Sequence, residues 1–72
     1  MPKLPVLKPK ELKHRLEKLG FVLDHQVGSH AVLYRIGDRK RVVVPMHTKD
    51  IPKGTLAAIL KESGIEIKEI TK

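Results

Sequence analysis

Phe21-Val22-Leu23-Asp24-His25-Gln26-Val27-Gly28-Ser29-His30-Ala31-Val32-Leu33-Tyr34-Arg35-Ile36 decides the fold. Two runs rich in β-branched and aromatic side chains meet at a glycine. Phe21 to Val27 reads as the first strand. Gly28 breaks it, and Ser29-His30 opens a second strand that continues over Ala31 to Ile36. A histidine therefore stands at the joint of two strands.

Working outward, Gly37-Asp38 has glycine first, as a two-residue type II′ hairpin requires. A third strand, Arg39 to Val44, is built on Val42-Val43-Val44, and Pro45 ends its ladder. Upstream, Pro9 suits the first turn of a helix, where its missing N–H costs nothing. Leu12, Leu16 and Leu19 then form one apolar stripe, and Gly20 caps the end. Met1 to Lys8 reads as an extended, partly mobile lead-in. Downstream, Met46 to Ile51 is a loop, and Asp50 stands as helix N-cap with Pro52 in the turn behind it. The second helix runs to about Ser63 with Leu56, Ile59 and Leu60 inward, and Gly64 caps it. Ile65 to Lys72 suits either a short helical turn or an extended tail. The expected class is α+β, in the order α-β-β-β-α. Residues 1–72 form one domain, with a three-stranded antiparallel meander and two helices on one face.

The chain carries 15 Lys and Arg against 8 Asp and Glu, a net charge of +7 on 72 residues. Such a density favours an anionic partner, and a face that merely keeps the protein in solution is the plain alternative. Phe21 and Tyr34 are the only Phe, Tyr or Trp, which disfavours a base-stacking platform and suits binding through phosphates and groove shape. Absence of cysteine excludes disulfides, thiolate metal sites and cysteine nucleophiles. No apolar run approaches the roughly 18 residues of a membrane span. Met1 to Lys10 holds three prolines and no apolar core of a secretory signal, so a cytoplasmic protein is expected.

The four histidines are not equivalent. His14 lies among Lys and Arg on the first helix, and His25 lies inside a strand. His30 follows Gly28, whose lack of a Cβ leaves room for a phosphate, and Ser29, whose hydroxyl can donate to a phosphate oxygen or orient an imidazole. His47 follows the third strand, whose end lies beside the start of the second in a meander. The two rings can form an acid–base pair or fill a structural role. No carboxylate or thiolate stands near to complete a metal site, so neither metal nor other cofactor is expected. Lys53, Gly54 and Thr55 open the second helix, where backbone N–H groups and the helix dipole attract phosphate, or simply cap the helix. Arg35, Arg39, Lys40 and Arg41 crowd the hairpin, either as phosphate contacts or as a charged edge that blocks aggregation.

Leu16-Glu17-Lys18-Leu19-Gly20-Phe21, Gln26-Val27-Gly28-Ser29-His30, Val44-Pro45-Met46-His47, Gly54-Thr55-Leu56, Ile59-Leu60-Lys61 and Gly64-Ile65 occur in an order that resembles the HicA toxins of toxin–antitoxin systems. The resemblance spans roughly residues 10–65. It implies a double-stranded-RNA-binding-like fold and a ribosome-independent, metal-independent mRNA endoribonuclease, silenced by a HicB-type antitoxin. His30 is then the catalytic residue. From the residues themselves, Gln26, Gly28, Ser29, Arg35, Lys53, Gly54 and Thr55 are assigned to positioning RNA phosphate, and His47 either to a second proton transfer or to a structural role at the strand end. Where family members often carry Arg before the glutamine, this chain has His25, and its lead-in is longer. Two rivals stand beside this reading: a non-catalytic double-stranded-RNA-binding module, and a protein-interaction domain whose charge serves solubility.

Overall fold

A computed structural model describes residues 4–47 and 49–71. The elements are α1 (Pro9–Lys18), β1 (Val22–Val27), β2 (His30–Arg35), β3 (Lys40–Pro45), α2 (Lys53–Ser63) and a short α3 (Ile67–Ile70). This is the α-β-β-β-α order expected from pattern, and the tail adds one helical turn rather than running extended.

Both long helices end in the same way. After α1 the Phe21 N–H bonds the Leu16 carbonyl at 3.1 Å and the Gly20 N–H bonds that of Glu17 at 3.1 Å. After α2 the Ile65 and Gly64 N–H groups bond Leu60 and Lys61 at 3.0 and 3.3 Å. Gly20 and Gly64 take φ values of +99° and +71°. These are Schellman closures, in which a glycine turns left-handed and the next apolar side chain folds back onto the helix. Phe21 and Ile65 are both buried by that return. Phe21 thus belongs to the core just ahead of β1, rather than to the strand as its composition suggested.

The three strands pair antiparallel in the order β1-β2-β3. Ala31 faces Val44 and Leu33 faces Val42. All four are buried, and they meet Leu12 and Leu16 of α1 and Leu56, Ile59 and Leu60 of α2. On the other parity His30, Val32 and Tyr34 face Pro45, Val43 and Arg41. Val43 on that outward face is 44% exposed. The register of β1 slips between Leu23 and His25, so Asp24 is a bulge residue. The slip hands His25 and Val27 to the face of His30, and Gln26 to the side of Ala31.

The structure revises several details. The β2–β3 connection is the four-residue turn 36–39, not a two-residue turn at Gly37-Asp38, and its positive φ of 58° falls on Arg39. Arg35 explains this: its guanidinium grips Asp38 with two hydrogen bonds of 2.9 and 2.6 Å and draws the turn back toward the sheet. Asp50 is not the N-cap of α2. Pro52 occupies that position with no side-chain cap, because the chain between is held instead by the Ile51 N–H on the Leu7 carbonyl at 2.8 Å. That bond also anchors the lead-in over residues 4–8, where Leu7 is buried in the core. The remainder of the lead-in, residues 1–3, lies outside the described residues, as do Thr48 in the loop and Lys72 in the tail.

Arg35, one of the expected phosphate contacts, is engaged by the fold. It shares the inward parity of Ala31 and Leu33. It donates to the carbonyls of Leu19 at 3.0 Å and Ser63 at 3.2 Å, the last residues before the two Schellman glycines. Its guanidinium lies 4.6 Å from the Phe21 ring centre. The hydrogen bonds from Arg35 hold the Asp38 carboxyl below its ordinary range. A carboxyl lowered in the folded state contributes stability above its unfolded value, and this is lost as pH falls through the folded value. On the outward face Arg41 has the opposite situation. It is half exposed, packs on Tyr34 with 5.0 Å to the ring centre, and bonds only Asp24 among the described residues. Replacing Arg35 by Ala should lower unfolding stability by about 2 kcal/mol, through two lost charge-assisted bonds to carbonyls and lost packing. Arg41→Ala, which removes a half-exposed side chain, should cost much less in melting temperature. An Arg35→Ala protein that melts at the wild-type temperature would contradict this structural role.

Candidate functional site

Gly28 and Ser29 form the two-residue turn between β1 and β2, closed by the Val27–His30 pair. Gly28 takes φ of +57° and Ser29 stays negative, the type II′ pattern that the sequence placed one hairpin too late. A Cβ on Gly28 would meet nothing within 4 Å, so the glycine is required for its backbone angle and leaves open space above it. The Gln26 amide donates to the Gly28 carbonyl at 3.2 Å and steadies the turn from the opposite parity. The turn is tied from its other side too. Met46 N–H donates to the Ser29 carbonyl at 2.6 Å, just beyond Pro45, which has no N–H to offer.

That tie brings His30 and His47 together. Their ring centres are 6.0 Å apart and the planes cross at 61°. Both side chains are exposed. His30 begins the central strand, so its backbone is fixed by pairing on both sides. His47 sits two residues beyond the end of β3. Of the other histidines, His25 is engaged with its neighbour, its Nδ1 lying 2.8 Å from the Asp24 carboxylate. That bond, followed by the one from Arg41, holds Asp24 below the ordinary carboxyl range. His14 is exposed on α1.

Where the loop after β3 meets the start of α1, the surface dips into a hollow of about 220 Å³ lined by Lys8, Pro9, Lys10, Glu11, Met46 and Lys49. Glu11 accepts the Lys8 backbone N–H at 3.2 Å, while three lysines edge the hollow. Sequence reasoning missed these lysines as a group. Lys8 and Lys10 flank the start of α1, and Lys49 follows β3, so only the packing of the lead-in against the loop unites them. Lys53, Gly54 and Thr55 begin α2, where no side chain caps the first N–H groups. Among the described residues no hydrogen bond or ion pair links them to His30. No three His, Asp or Glu among the described residues gather to hold a metal. No described helix is long and apolar enough to cross a membrane.

The family model described as "HicA toxin of bacterial toxin-antitoxin" matches residues 9–65. Among curated proteins nothing matches the chain. The matched span contains the Gly28-Ser29-His30 turn, the β3 end with His47, and both Schellman closures.

Gly28 gives a direct test of how the site is held. Gly28→Ala forces a side chain into left-handed backbone, at a cost of about 1–2 kcal/mol. The expected result is a lowered melting temperature together with shifted amide signals at Ser29, His30 and Met46. An unchanged spectrum at those three residues would show that the turn does not place the histidine.

Proposed function

The chain belongs to the HicA toxin family of toxin–antitoxin systems, and from that membership we propose that it is a metal-independent endoribonuclease that cuts mRNA with His30. The observation that carries the reading is the setting of His30. An exposed imidazole stands at the rigid start of a central strand, beside an open glycine and on a strongly basic protein.

RNA brings its own nucleophile, the 2′-OH. The protein must shift a proton and steady charge on the phosphate. Histidine titrates near neutrality and suits the first task. The second falls to the Ser29 hydroxyl, to an approach unobstructed by any Cβ at Gly28, and to cations. Lys8, Lys10 and Lys49 edge the hollow at Met46, the chain neighbour of His47, and Arg41 stands on the outward sheet face. Gln26 acts here by holding the turn, and the uncapped start of α2 at Lys53, Gly54 and Thr55 offers a further phosphate site.

The partner expected to silence the protein is a HicB-type antitoxin. Val27 is paired with His30 and is 63% exposed, and Val22 and Val43 on the same face are 54% and 44% exposed. An antitoxin that blocks His30 would therefore bury an apolar patch within a basic rim, which favours an acidic surface with an apolar centre. A non-catalytic RNA-binding module would use the same basic face and have no need of His30.

Cleavage of RNA in excess EDTA decides between them. The wild-type protein should cut, and His30→Ala should fall by about 10²- to 10⁴-fold while keeping its fold and RNA affinity. Salt-dependent binding without cleavage by either protein would favour the binding module. Normal cleavage by His30→Ala would remove His30 from the chemistry.

A further inference from the structure

We propose that His47 is the second proton-transfer group of the same site, so that His30 and His47 act as an acid–base pair. This rests on the endoribonuclease reading above. Phosphodiester transfer to the 2′-oxygen has two proton demands on opposite sides of phosphorus. One base removes the 2′-hydroxyl proton as the 2′-O–P bond forms. One acid protonates the 5′-oxygen as the P–O5′ bond breaks and its electron pair leaves with oxygen. The products are a 2′,3′-cyclic phosphate and a free 5′-hydroxyl. A single imidazole does not reach both oxygens when entering and leaving groups are in line.

The geometry supplies the second ring. Proton transfer needs a ring nitrogen within about 3 Å of its oxygen. Two ring centres 6.0 Å apart, crossed at 61°, can each address a different oxygen of one phosphodiester. The Met46–Ser29 bond of 2.6 Å ties the segment that leads into His47 to the turn that carries His30. His25 is a poor substitute, since Asp24 engages its Nδ1. One ring enters the step neutral and the other protonated. After transfer their states are exchanged, and proton exchange with water restores them, so the cycle balances without a co-reactant.

The test uses a DNA oligonucleotide with one ribonucleotide, varied over the four bases, made with either oxygen or sulfur as the bridging 5′ leaving atom. A thiolate leaves without a proton, so it relieves only the loss of the general acid. Wild type, His30→Ala, His47→Ala and His47→Gln are compared in single turnover, each matched for melting temperature. On the oxygen substrate each histidine variant should lose about 100-fold or more. The sulfur substrate should rescue the variants of one histidine and not those of the other, to within about tenfold of wild type. Full-rate oxygen cleavage by the His47 variants, rescue of both histidines, or rescue of neither would overturn the pair and leave His30 in place. Failure of wild type to cut either substrate would overturn the pair together with the endoribonuclease reading.

Discussion

One backbone hydrogen bond organises the functional end of this protein: Met46 N–H to the Ser29 carbonyl, 2.6 Å. Pro45 stands opposite His30 at a position where the ladder asks for no bond from β3 to β2, so a proline fits there and Met46 makes the next bond. That closure joins two segments far apart in sequence. One is the tight turn that delivers His30. The other is the loop that carries His47 and one wall of the lysine-edged hollow. Without it the loop would leave the sheet at Pro45 and the second imidazole would be free to wander.

The two faces of the sheet divide the labour by parity. Inward positions on β2 are Ala31, Leu33 and Arg35, and they build the core and its staple. Outward positions are His30, Val32 and Tyr34. The bulge at Asp24 extends this division into β1 by changing its phase, which places Val27 and His25 beside His30 and Gln26 behind the turn. Charge follows the same rule. Arg35 looks inward and stitches together the ends of α1 and α2, while Arg41 looks outward and remains half exposed.

Much of this was legible in the residues. Gly20-Phe21 and Gly64-Ile65 announce helix ends because a left-handed glycine followed by an apolar residue is a local motif. Leu12 and Leu16, and the Val42–Val44 run, carry the periods of helix and strand. The nearness of His30 and His47 followed from the antiparallel order alone. What stayed hidden depends on non-local contacts. Gly28 and Gly37 both look like hairpin glycines, but the grip of Arg35 on Asp38 belongs to a four-residue second turn whose positive φ falls on Arg39. Asp50 has the chemistry of an N-cap, yet the Leu7–Ile51 bond sets where α2 begins. Counting parity along β2 from Ala31 would have turned Arg35 inward. The lysines around the hollow had no sequence signal, since the lead-in had to pack first.

The most direct test of the central claim, that the Gly28–His30 turn and the loop at His47 form one phosphate-binding site, is the imidazole spectrum of the protein bound to RNA. The RNA should carry 2′-deoxy sugars at every cleavable position, so that it binds without reacting. Resonances of His30 and His47 should shift together and saturate at one RNA concentration, while His14, on the exposed face of α1, stays fixed. Saturating RNA binding that leaves His30 and His47 unmoved would contradict the account.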